Sequence, residues 1–297
     1  MHVKHLYPIV STKCFNDDLD FLQKNYPAVS YKYLLENIGR KSLRSEKGFF
    51  LTFDDGLRQF HDIVAPILIQ CGIPATIFVN SDFVDNKDMF FRLKVSILIE
   101  EIKVTGLSAG QKSGITSLFN KKGLKYDSSA DFQSINDTNK EILDGIAQIL
   151  DINFAQYLST YQPYLTTKQI ESLIQQGFTV GAHSVSHPYY QSLTEDMQVE
   201  QTLKCIQYLT KNFGIKERTF SFPYTDFEIK KTFFERIKNE VDLTFGTANM
   251  KLDEIHTNIQ RIPMEIFDRK SAESIVKSEY LFFLIKMLLN KQIINRY

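Results

Sequence analysis

Short runs of apolar residues alternate with helical patterns along much of the chain. The first run, Phe49 to Phe53, leads into the polar turn Asp54 to Gly56, and the helical pattern that follows ends at Gly72. A second apolar run, Ala75 to Val79, comes directly after it. Mainly apolar runs of this length predict buried strands. A strand, a helix and a strand joined by short connections predict parallel pairing with helices covering the sheet.

The same alternation resumes in the second half of the chain. Its predicted elements are a helix from Thr167 to Gln176, a strand from Phe178 to Ala182, a helix from Glu195 to Phe213 capped by Thr194, a strand from Thr219 to Phe222, a helix from Phe227 to Asn239, a strand from Val241 to Phe245 and a strand near Gln260 to Met264. At least five such units favour an α/β fold, either barrel-like or doubly wound. In both folds the chemistry lies at the carboxyl ends of the strands.

Two regions stand outside this alternation. Residues 86 to about 160 contain helical stretches, Phe91 to Glu101 and Lys140 to Leu150, around a middle rich in Ser, Gly, Asn and Lys. This pattern predicts a helical insertion that would form a lid or one wall of a cleft. The sequence carries no repeat and no Pro- or Ser-rich linker, so we expect one domain over residues 1–297.

A C-terminal helix is expected at about residues 271–294. Its apolar segment Leu281 to Leu289 is shorter than the roughly 20 residues that a membrane-spanning helix needs. We expect Phe282 to Ile285 to dock this helix onto the barrel. The alternative is a peripheral contact with a membrane surface or a partner.

Composition narrows the classes of function. The 297 residues are 43% hydrophobic, enough for a substantial core. Lys+Arg and Asp+Glu both number 35 and no basic block occurs, which argues against a nucleic-acid partner. The chain has no Trp, so any stacking on a sugar would fall to Tyr, Phe or His. Three scattered cysteines and a start without a signal-type apolar run lead us to expect a cytoplasmic protein.

Polar residues that can carry chemistry follow two of the predicted strands. Asp54 and Asp55 lie on a tight turn, where two adjacent carboxylates point in different directions. One can then hold a metal while the other accepts a proton. An Asp-Gly turn is also common without any function, so this motif alone is weak.

Two histidines, His183 and His187, give the stronger signal because they follow the strand that ends at Ala182. If the segment between them forms a helical turn, both rings can face a single cation, and neutral imidazole suits zinc and similar metals. An isolated pair of this kind is more often structural. However, the ends of parallel neighbouring strands converge, which would bring these rings to the Asp-Asp turn. Two imidazoles and one carboxylate leave room for water on the ion, and a second carboxylate can serve as general base.

The combined motifs resemble the polysaccharide deacetylase family, the carbohydrate esterases that share the NodB-type homology domain. The resemblance rests on LTFDDG (51–56), IPATIFV (73–79), the stretch 165–194 that contains HSVSH, and FSFPYTD (220–226). It implies a distorted (β/α) barrel and a hydrolase that acts on carbon–nitrogen bonds other than peptide bonds, removing N-acetyl (or O-acetyl) groups from sugars. It also implies one divalent metal ion, for which we expect zinc. Carried over by position, Asp54 is the base, Asp55, His183 and His187 are the metal ligands, and the backbone N–H of Tyr224 helps to hold the developing oxyanion.

Two departures from the family pattern concern the movement of protons. Many members carry an arginine that orients the base in the third motif, where this chain has Ser221. Arg58, Arg218 or Arg261 would have to replace it from elsewhere, and Arg261, at a predicted strand, is the best placed to touch the base or the substrate. The family's general acid is usually a late histidine after an apolar strand. His256 is the only late histidine, and the residues before it are acidic rather than apolar.

Three hypotheses on function follow. The first is a deacetylase acting on an acetylated carbohydrate during assembly of a cell-surface polysaccharide. The second is a metal-dependent amidohydrolase acting on a small amide that is not a sugar. The third is a catalytically weakened relative that binds carbohydrate, which Ser221 and the doubtful acid would explain.

Overall fold

The computed structural model describes residues 3–38, 47–266 and 270–297. Its helices are α1 Thr12–Asn25, α2 Tyr31–Asn37, α3 Ala65–Cys71, α4 Phe91–Thr105, α5 Ala109–Lys121, α6 Ile142–Ile149, α7 Phe154–Tyr161, α8 Thr167–Gln175, α9 Glu195–Phe213, α10 Lys231–Ile237 and α11 Ala272–Leu288. Its strands are β1 Leu51–Phe53, β2 Ala75–Val79, β3 Thr179–Ala182, β4 Thr219–Ser221, β5 Leu243–Gly246, β6 Leu252–Asp253, β7 Asn258–Gln260 and β8 Ile293–Ile294.

These elements form two compact units. The smaller unit comprises Met1–Ile9 and Asn86–Pro163, and the larger comprises Val10–Asp85 and Tyr164–Tyr297. In the smaller unit, α4 to α7 surround an apolar interior in which Phe119 and Phe132 are fully buried, with ring centroids 5.4 Å apart. The assignment of the whole chain to one domain stays a prediction.

Six parallel strands make up the main sheet of the larger unit, in the order β1-β2-β3-β4-β5-β7. Strands β6 and β8 form a separate parallel pair. Val79 at the end of β2 lies opposite Ala182 at the end of β3, which in turn lies opposite Phe220 of β4. Because all six strands run in the same direction, the segments that follow them all lie at the carboxyl ends of the strands, on one side of the sheet.

The sheet curls so that its two edge strands approach each other. Arg261, directly after β7, donates a hydrogen bond to Oγ1 of Thr52 on β1 at 3.1 Å. Phe50, beside β1, stacks on Phe245 of β5 with ring centroids 5.5 Å apart. Such contacts cannot form across a flat sheet of six strands. The expected distorted (β/α) barrel is confirmed as a half-barrel, and the sequential strand order differs from that of a doubly wound sheet.

Side chains alternate between the two faces of the curled sheet. On the inner face, Phe78 and Phe245 pack with Tyr31 and Leu34 of α2. On the outer face, strand residues such as Ile77 join the larger core that α3, α8, α9 and α10 cover. Both faces are therefore buried, which explains why the strands read as continuous apolar runs.

Local signals account for several helix ends. Thr194 caps α9 by accepting a hydrogen bond from the backbone N–H of Met197 at 3.4 Å, as predicted. Gly72 ends α3 in the left-handed conformation with φ of 65°, which glycine adopts without strain. The strand expected near Gln260 to Met264 is displaced, since β7 ends at Gln260. Helix α5 lies in the Ser/Gly/Lys-rich region where no helix was expected.

The C-terminal helix α11 docks through its first turns rather than its apolar centre. Ala272 and Val276 pack against Leu22 of α1. The prediction that Phe282 to Ile285 would dock the helix is wrong, because most of that segment is exposed and Leu288 beyond it is 85% exposed. Among the described helices, none combines the length and the apolar composition needed to cross a membrane.

Candidate active site

Asp54 and Asp55 lie on a sharp turn at the carboxyl end of β1. Asp55 and Gly56 both adopt left-handed conformations, with φ of 71° and 62°. A side chain at residue 56 would meet Val79 of β2 at 3.1 Å, so the turn needs glycine for both its conformation and its closeness to the sheet. The two carboxylates leave this turn in different directions and reach different partners.

His183 and His187 follow β3, which is two strands from β1. The expected helical turn between them is wrong, because the segment is irregular and both Ser184 and His187 have positive φ values, of 71° and 57°. The rings nevertheless converge, with centroids 4.9 Å apart and planes at 69°. Both side chains are almost completely buried. Left-handed residues thus turn the rings toward one point without a helix.

Polar side chains from neighbouring elements hold this loop in place. Asn80, directly after β2, donates to the backbone carbonyl of His183 and to Oγ of Ser184. Gln201 of α9 accepts hydrogen bonds from the backbone N–H groups of residues 185 and 186 at 3.0 and 3.1 Å. Oγ of Ser184 accepts from the backbone N–H of His187 at 3.0 Å. The buried loop therefore has a fixed conformation.

One oxygen of Asp55 lies between the two imidazoles. Its Oδ1 is 3.3 Å from Nε2 of His183 and 3.0 Å from Nε2 of His187. These three ligand atoms all lie within 4.8 Å of one another, and all three residues are buried. Two imidazole nitrogens and a carboxylate oxygen are a donor set that divalent zinc and related ions favour.

The hydrogen bonds of His183 determine which of its nitrogens can bind a cation. Its Nδ1 lies 2.8 Å from the backbone carbonyl of Ser221. A carbonyl can only accept, so Nδ1 carries the proton, and in the neutral ring Nε2 presents a lone pair toward Asp55. A lone pair and a carboxylate oxygen repel each other unless a cation or a proton lies near both. This outer contact to Ser221 is the kind that orients metal-binding histidines.

Burial and charge compete within the cluster. Burial disfavours the charged form of Asp55, but the adjacent His187 and His183 outweigh it and hold the pKa of that carboxyl well below its usual range. Burial also opposes protonation of His183, yet Asp54 and Asp55 raise the pKa of its imidazole above the usual value. Asp55 is thus ionised at neutral pH, and its carboxylate favours a positive charge between it and the two imidazoles.

Asp54 points away from Asp55 and pairs with Arg261. Nη1 and Nη2 of Arg261 each donate to a different oxygen of Asp54, both at 2.8 Å. Burial alone would raise the pKa of Asp54, but Arg261 and His183 outweigh it and keep this pKa low. Asp54 is therefore ionised at neutral pH, as a general base must be.

The hydroxyl of Ser221 joins this pair. Its Oγ accepts from Nη2 of Arg261 at 2.7 Å and lies 3.3 Å from Oδ2 of Asp54. The other two candidate arginines are engaged elsewhere. Nε of Arg58 lies 3.2 Å from Asp62, and Arg218 pairs with Asp242 at the amino end of β4.

Tyr224 follows β4 and borders the histidine cluster. Its φ of 59° turns the backbone sharply after Pro223. The ring of Tyr224 meets His187 edge-on, with centroids 4.6 Å apart, and stacks on Tyr189 at 3.8 Å. Oγ1 of Thr247 donates to the carbonyl of Tyr224 at 3.1 Å. An aromatic pair thus stands beside the cluster at the same edge of the sheet.

The structure places His256 away from these residues. It is exposed and precedes β7, whereas Arg261 follows that strand. His256 therefore lies at the amino ends of the parallel strands, whereas Asp54 and His183 follow their carboxyl ends. His256 is thus not placed to protonate a leaving group beside Asp54 and His183.

Sequence reasoning missed Asn80 and Gln201, which hold the histidine loop. Asn80 had a usable signal, because it is a polar residue directly after the buried strand β2. Gln201 had none, since it lies within the long helix α9, where a glutamine is ordinary.

Comparisons with known proteins agree on the fold. The chain resembles the Streptococcus pyogenes deacetylase PplD, solved in complex with acetate, at 15% identity over 91% of this chain and 93% of the other, with a TM-score of 0.54. IcaB from Ammonifex degensii is 17% identical over 92% of this chain and 89% of its own, with a TM-score of 0.55. A de-N-acetylase from Aggregatibacter actinomycetemcomitans is 14% identical over 91% of this chain and 89% of its own, with a TM-score of 0.54. At these identities the likeness concerns the fold.

The sequence itself identifies the family. No curated protein matches the chain. The family model for polysaccharide deacetylase matches residues 41–243, which is more than half of the chain and contains Asp54, Asp55, His183 and His187. The chain therefore belongs to the polysaccharide deacetylase family of hydrolases.

Proposed function

We propose that this protein is a zinc-dependent deacetylase that hydrolyses N-acetyl groups on a carbohydrate. The observation that carries the proposal is the convergence of Asp55, His183 and His187 on one point, beside an ionised Asp54 held by Arg261. Two imidazoles and one carboxylate favour zinc over magnesium or calcium, which prefer oxygen ligands. IcaB, PplD and the de-N-acetylase share the fold, and the name of the last of these specifies an N-acetyl substrate.

The roles of the residues follow from their positions. Asp55, His183 and His187 would hold the ion, which supplies a more acidic water and polarises the acyl carbonyl. Asp54 accepts the proton of the attacking water, and its pairing with Arg261 keeps it ionised and oriented for this step. The backbone N–H of Tyr224 is the proposed donor to the oxyanion that develops on the carbonyl.

Departure of the amine requires a proton on its nitrogen. Because His256 lies at the amino ends of the strands and the site at their carboxyl ends, we assign this proton to Asp54, which received it from water. The carbon–nitrogen bond then breaks, acetate leaves, and Asp54 returns to its ionised form beside Arg261. One carboxyl group would thus act first as base and then as acid.

The aromatic pair Tyr189 and Tyr224 suits a sugar substrate. Sugar rings stack on flat aromatic faces, and this chain has no Trp for that purpose. The two tyrosines lie beside His187, where a bound N-acetyl sugar would place its acetyl group near the ion. A small amide without a sugar ring would make no use of this surface.

Arg261 also bears on the binding-only alternative. The absence of an arginine at Ser221 was one reason to consider a weakened relative. Arg261 supplies a charge in contact with Asp54 from another strand, which supports a working base.

The cellular setting is a further part of the proposal. A cytoplasmic location of the protein and a role in the assembly of a cell-surface polysaccharide both stay predictions. Peripheral membrane contact through α11 also stays a prediction, for which Leu281, Leu284 and Leu288 supply exposed apolar surface. Sedimentation with anionic lipid vesicles tests it. We expect the protein to sediment with the vesicles and Leu288→Glu to weaken that binding. If neither protein sediments more with vesicles than without them, the prediction is contradicted.

Acetate release from N-acetylglucosamine oligomers tests the proposed reaction. We expect turnover with zinc, loss after chelation, and almost complete loss in Asp54→Asn. Asp62→Asn is the matched control, because Asp62 is an exposed acid on the helical segment that follows the turn, paired with Arg58. Full activity of Asp54→Asn would rule out the base. Turnover of small linear or cyclic amides alone would favour the amidohydrolase, and tight glycan binding without turnover of any acetylated sugar would favour the binding relative.

A further inference from the structure

Arg296, which follows β8, is a buried arginine outside the catalytic cluster. Its side chain is 3% exposed. Its guanidinium lies over the ring of Phe234, 4.8 Å from the ring centroid. A guanidinium tolerates such burial only when its charge and its N–H donors are satisfied. The partners of Arg296 therefore indicate what it holds in place.

All five N–H donors of Arg296 have acceptors within two neighbouring segments. Nε donates to Asp253 at 3.0 Å, and Nη1 donates to the backbone carbonyls of Asp226 and Ile229 at 2.9 and 3.1 Å. Nη2 donates to the carboxylates of both Asp226 and Asp253, the latter at 2.6 Å. Burial would raise the pKa of Asp226, but Arg296 and nearby amide donors hold it below the usual value. This cluster of charged residues thus connects β6 to the loop after β4.

Asp226 belongs to the loop that carries Tyr224. Its Oδ1 accepts from the backbone N–H of Thr247 at 3.3 Å, and Oγ1 of the same threonine donates to the carbonyl of Tyr224. A side chain at Gly246 would overlap the carboxylate of Asp226, so the end of β5 leaves space for this carboxylate. The loop is therefore held from both ends, by Arg296 and by the segment after β5.

Gln260 extends the same cluster to the arginine that pairs with the base. Its Nε2 donates to Asp226 at 2.7 Å and to Asp253 at 3.0 Å. Gln260 directly precedes Arg261, whose backbone N–H and Nε both donate to the carbonyl of Gly246 at 3.2 Å. Two site segments, the Tyr224 loop and the Arg261 strand end, thus share one buried anchor.

We propose that Arg296 is a positioning residue of the active site, which fixes the Tyr224 loop and the Arg261 strand end relative to each other. The inference rests on the proposed function, since it assigns Arg296 a part in that reaction. Within the described part of the chain, the hydrogen bonds of the Arg296 guanidinium go to Asp226, Ile229 and Asp253, and none goes to Asp54, Asp55, His183 or His187. It should therefore affect catalysis without affecting metal affinity.

The test compares Arg296→Met with Arg218→Met. Arg218 pairs with Asp242 and with the carbonyl of Asn239 at the amino ends of the strands, away from the site. Its replacement therefore controls for the loss of an arginine–carboxylate pair. We expect Arg296→Met to lower kcat about tenfold to a hundredfold, because small displacements of catalytic groups have effects of that size. KM and zinc affinity should change little, and Arg218→Met should keep the kcat of the unmodified protein.

Hydrogen exchange provides a second readout that does not depend on activity. In Arg296→Met, exchange should rise in residues 223–229 and 258–262 and remain unchanged in residues 179–187. Arg296→Lys keeps the charge with fewer donors, so it should show smaller changes of the same kind. It replaces the methionine variant should the latter fail to fold.

A kcat equal to that of Arg218→Met, together with unchanged exchange in both segments, would overturn the inference. So would a loss of zinc affinity as large as the loss of kcat, because Arg296 would then act on the whole fold. If the unmodified protein releases no acetate from any acetylated sugar, the proposed function fails. Exchange in the two segments would still decide whether Arg296 anchors them.

Discussion

Replacing Arg261 by methionine removes the charge that faces Asp54 and keeps an unbranched side chain of similar length. Two charge-assisted hydrogen bonds of 2.8 Å disappear, and Asp54 is left partly buried without a compensating cation. Truncating one partner of a buried, hydrogen-bonded charge pair costs about 2–5 kcal/mol. Because the side chain of Asp54 keeps 29% of its exposure to solvent, we expect the low end of that range, about 2–3 kcal/mol. If that loss falls on the transition state, kcat/KM drops about 30- to 150-fold.

The same substitution should change the pH dependence in a definite direction. Arg261 lowers the pKa of Asp54 against the opposing effect of burial, so its removal raises that pKa. The base acts in its ionised form, and activity is lost as pH falls through its pKa. The acid limb of kcat/KM should therefore move to higher pH in Arg261→Met. Arg261→Lys, which keeps a charge but loses the bidentate geometry, should fall between the two proteins.

Acetate release measured from about pH 9 down to about pH 3, below the usual pKa of an Asp carboxyl, would show this limb, with zinc held at saturation. Circular dichroism at each pH would confirm that the variant remains folded. An acid limb that coincides with that of the unmodified protein would refute the reasoning, since Arg261 would then have no influence on the charge of Asp54. A uniform loss of rate at every pH would assign Arg261 to orientation alone.

Three further predictions concern stability and metal. Zinc at about 100 times its dissociation constant should stabilise the protein against unfolding by about 2.7 kcal/mol, and Asp55→Ala should abolish that gain in a thermal melt. Gly181→Ala should destabilise the fold by about 1–3 kcal/mol in urea, because the added methyl would lie 2.5 Å from the ring of Phe78. The low pKa of Asp226 contributes stability above its unfolded pKa of about 4, and this is lost as pH falls toward the folded value. Acid unfolding should therefore begin at higher pH in Arg296→Met, and identical acid midpoints would contradict the argument.

The strands were the most predictable part of the fold, for a physical reason. Helices cover the outer face of the curled sheet and aromatic side chains fill its inner face, so each strand must be apolar on both sides. The expected run Ala75 to Val79 coincides with β2, and the strand expected from Phe178 begins one residue later, at Thr179. Because parallel strands end at one edge, their positions also brought the acidic turn and the histidine loop together.

Helix α5 was not predictable from composition. Only Ile115 and Phe119 of its thirteen residues are buried, so its sequence shows almost no apolar stripe. A capping box between Ser108 and Gln111 supports its first turn. A helix of this kind depends on contacts with neighbouring helices, which single-sequence patterns do not contain.

The arginine that pairs with Asp54 was harder to identify than the candidate metal ligands, because its position depends on how the sheet curls. Asp54 and Arg261 are 207 residues apart and follow the two edge strands, which do not pair with each other. Periodicity predicts which residues end a strand, but the distance between the ends of unpaired strands depends on the accumulated twist of six strands. The place of His256 was hard to predict for a related reason. Its position relative to β7 decides at which end of the strands it lies, and that strand was expected too late in the chain. An arginine can thus reach the carboxylate of Asp54 from the strand at the far side of the curled sheet, and Ser221, at the position where the resemblance leads one to expect that arginine, accepts a hydrogen bond from Arg261 instead.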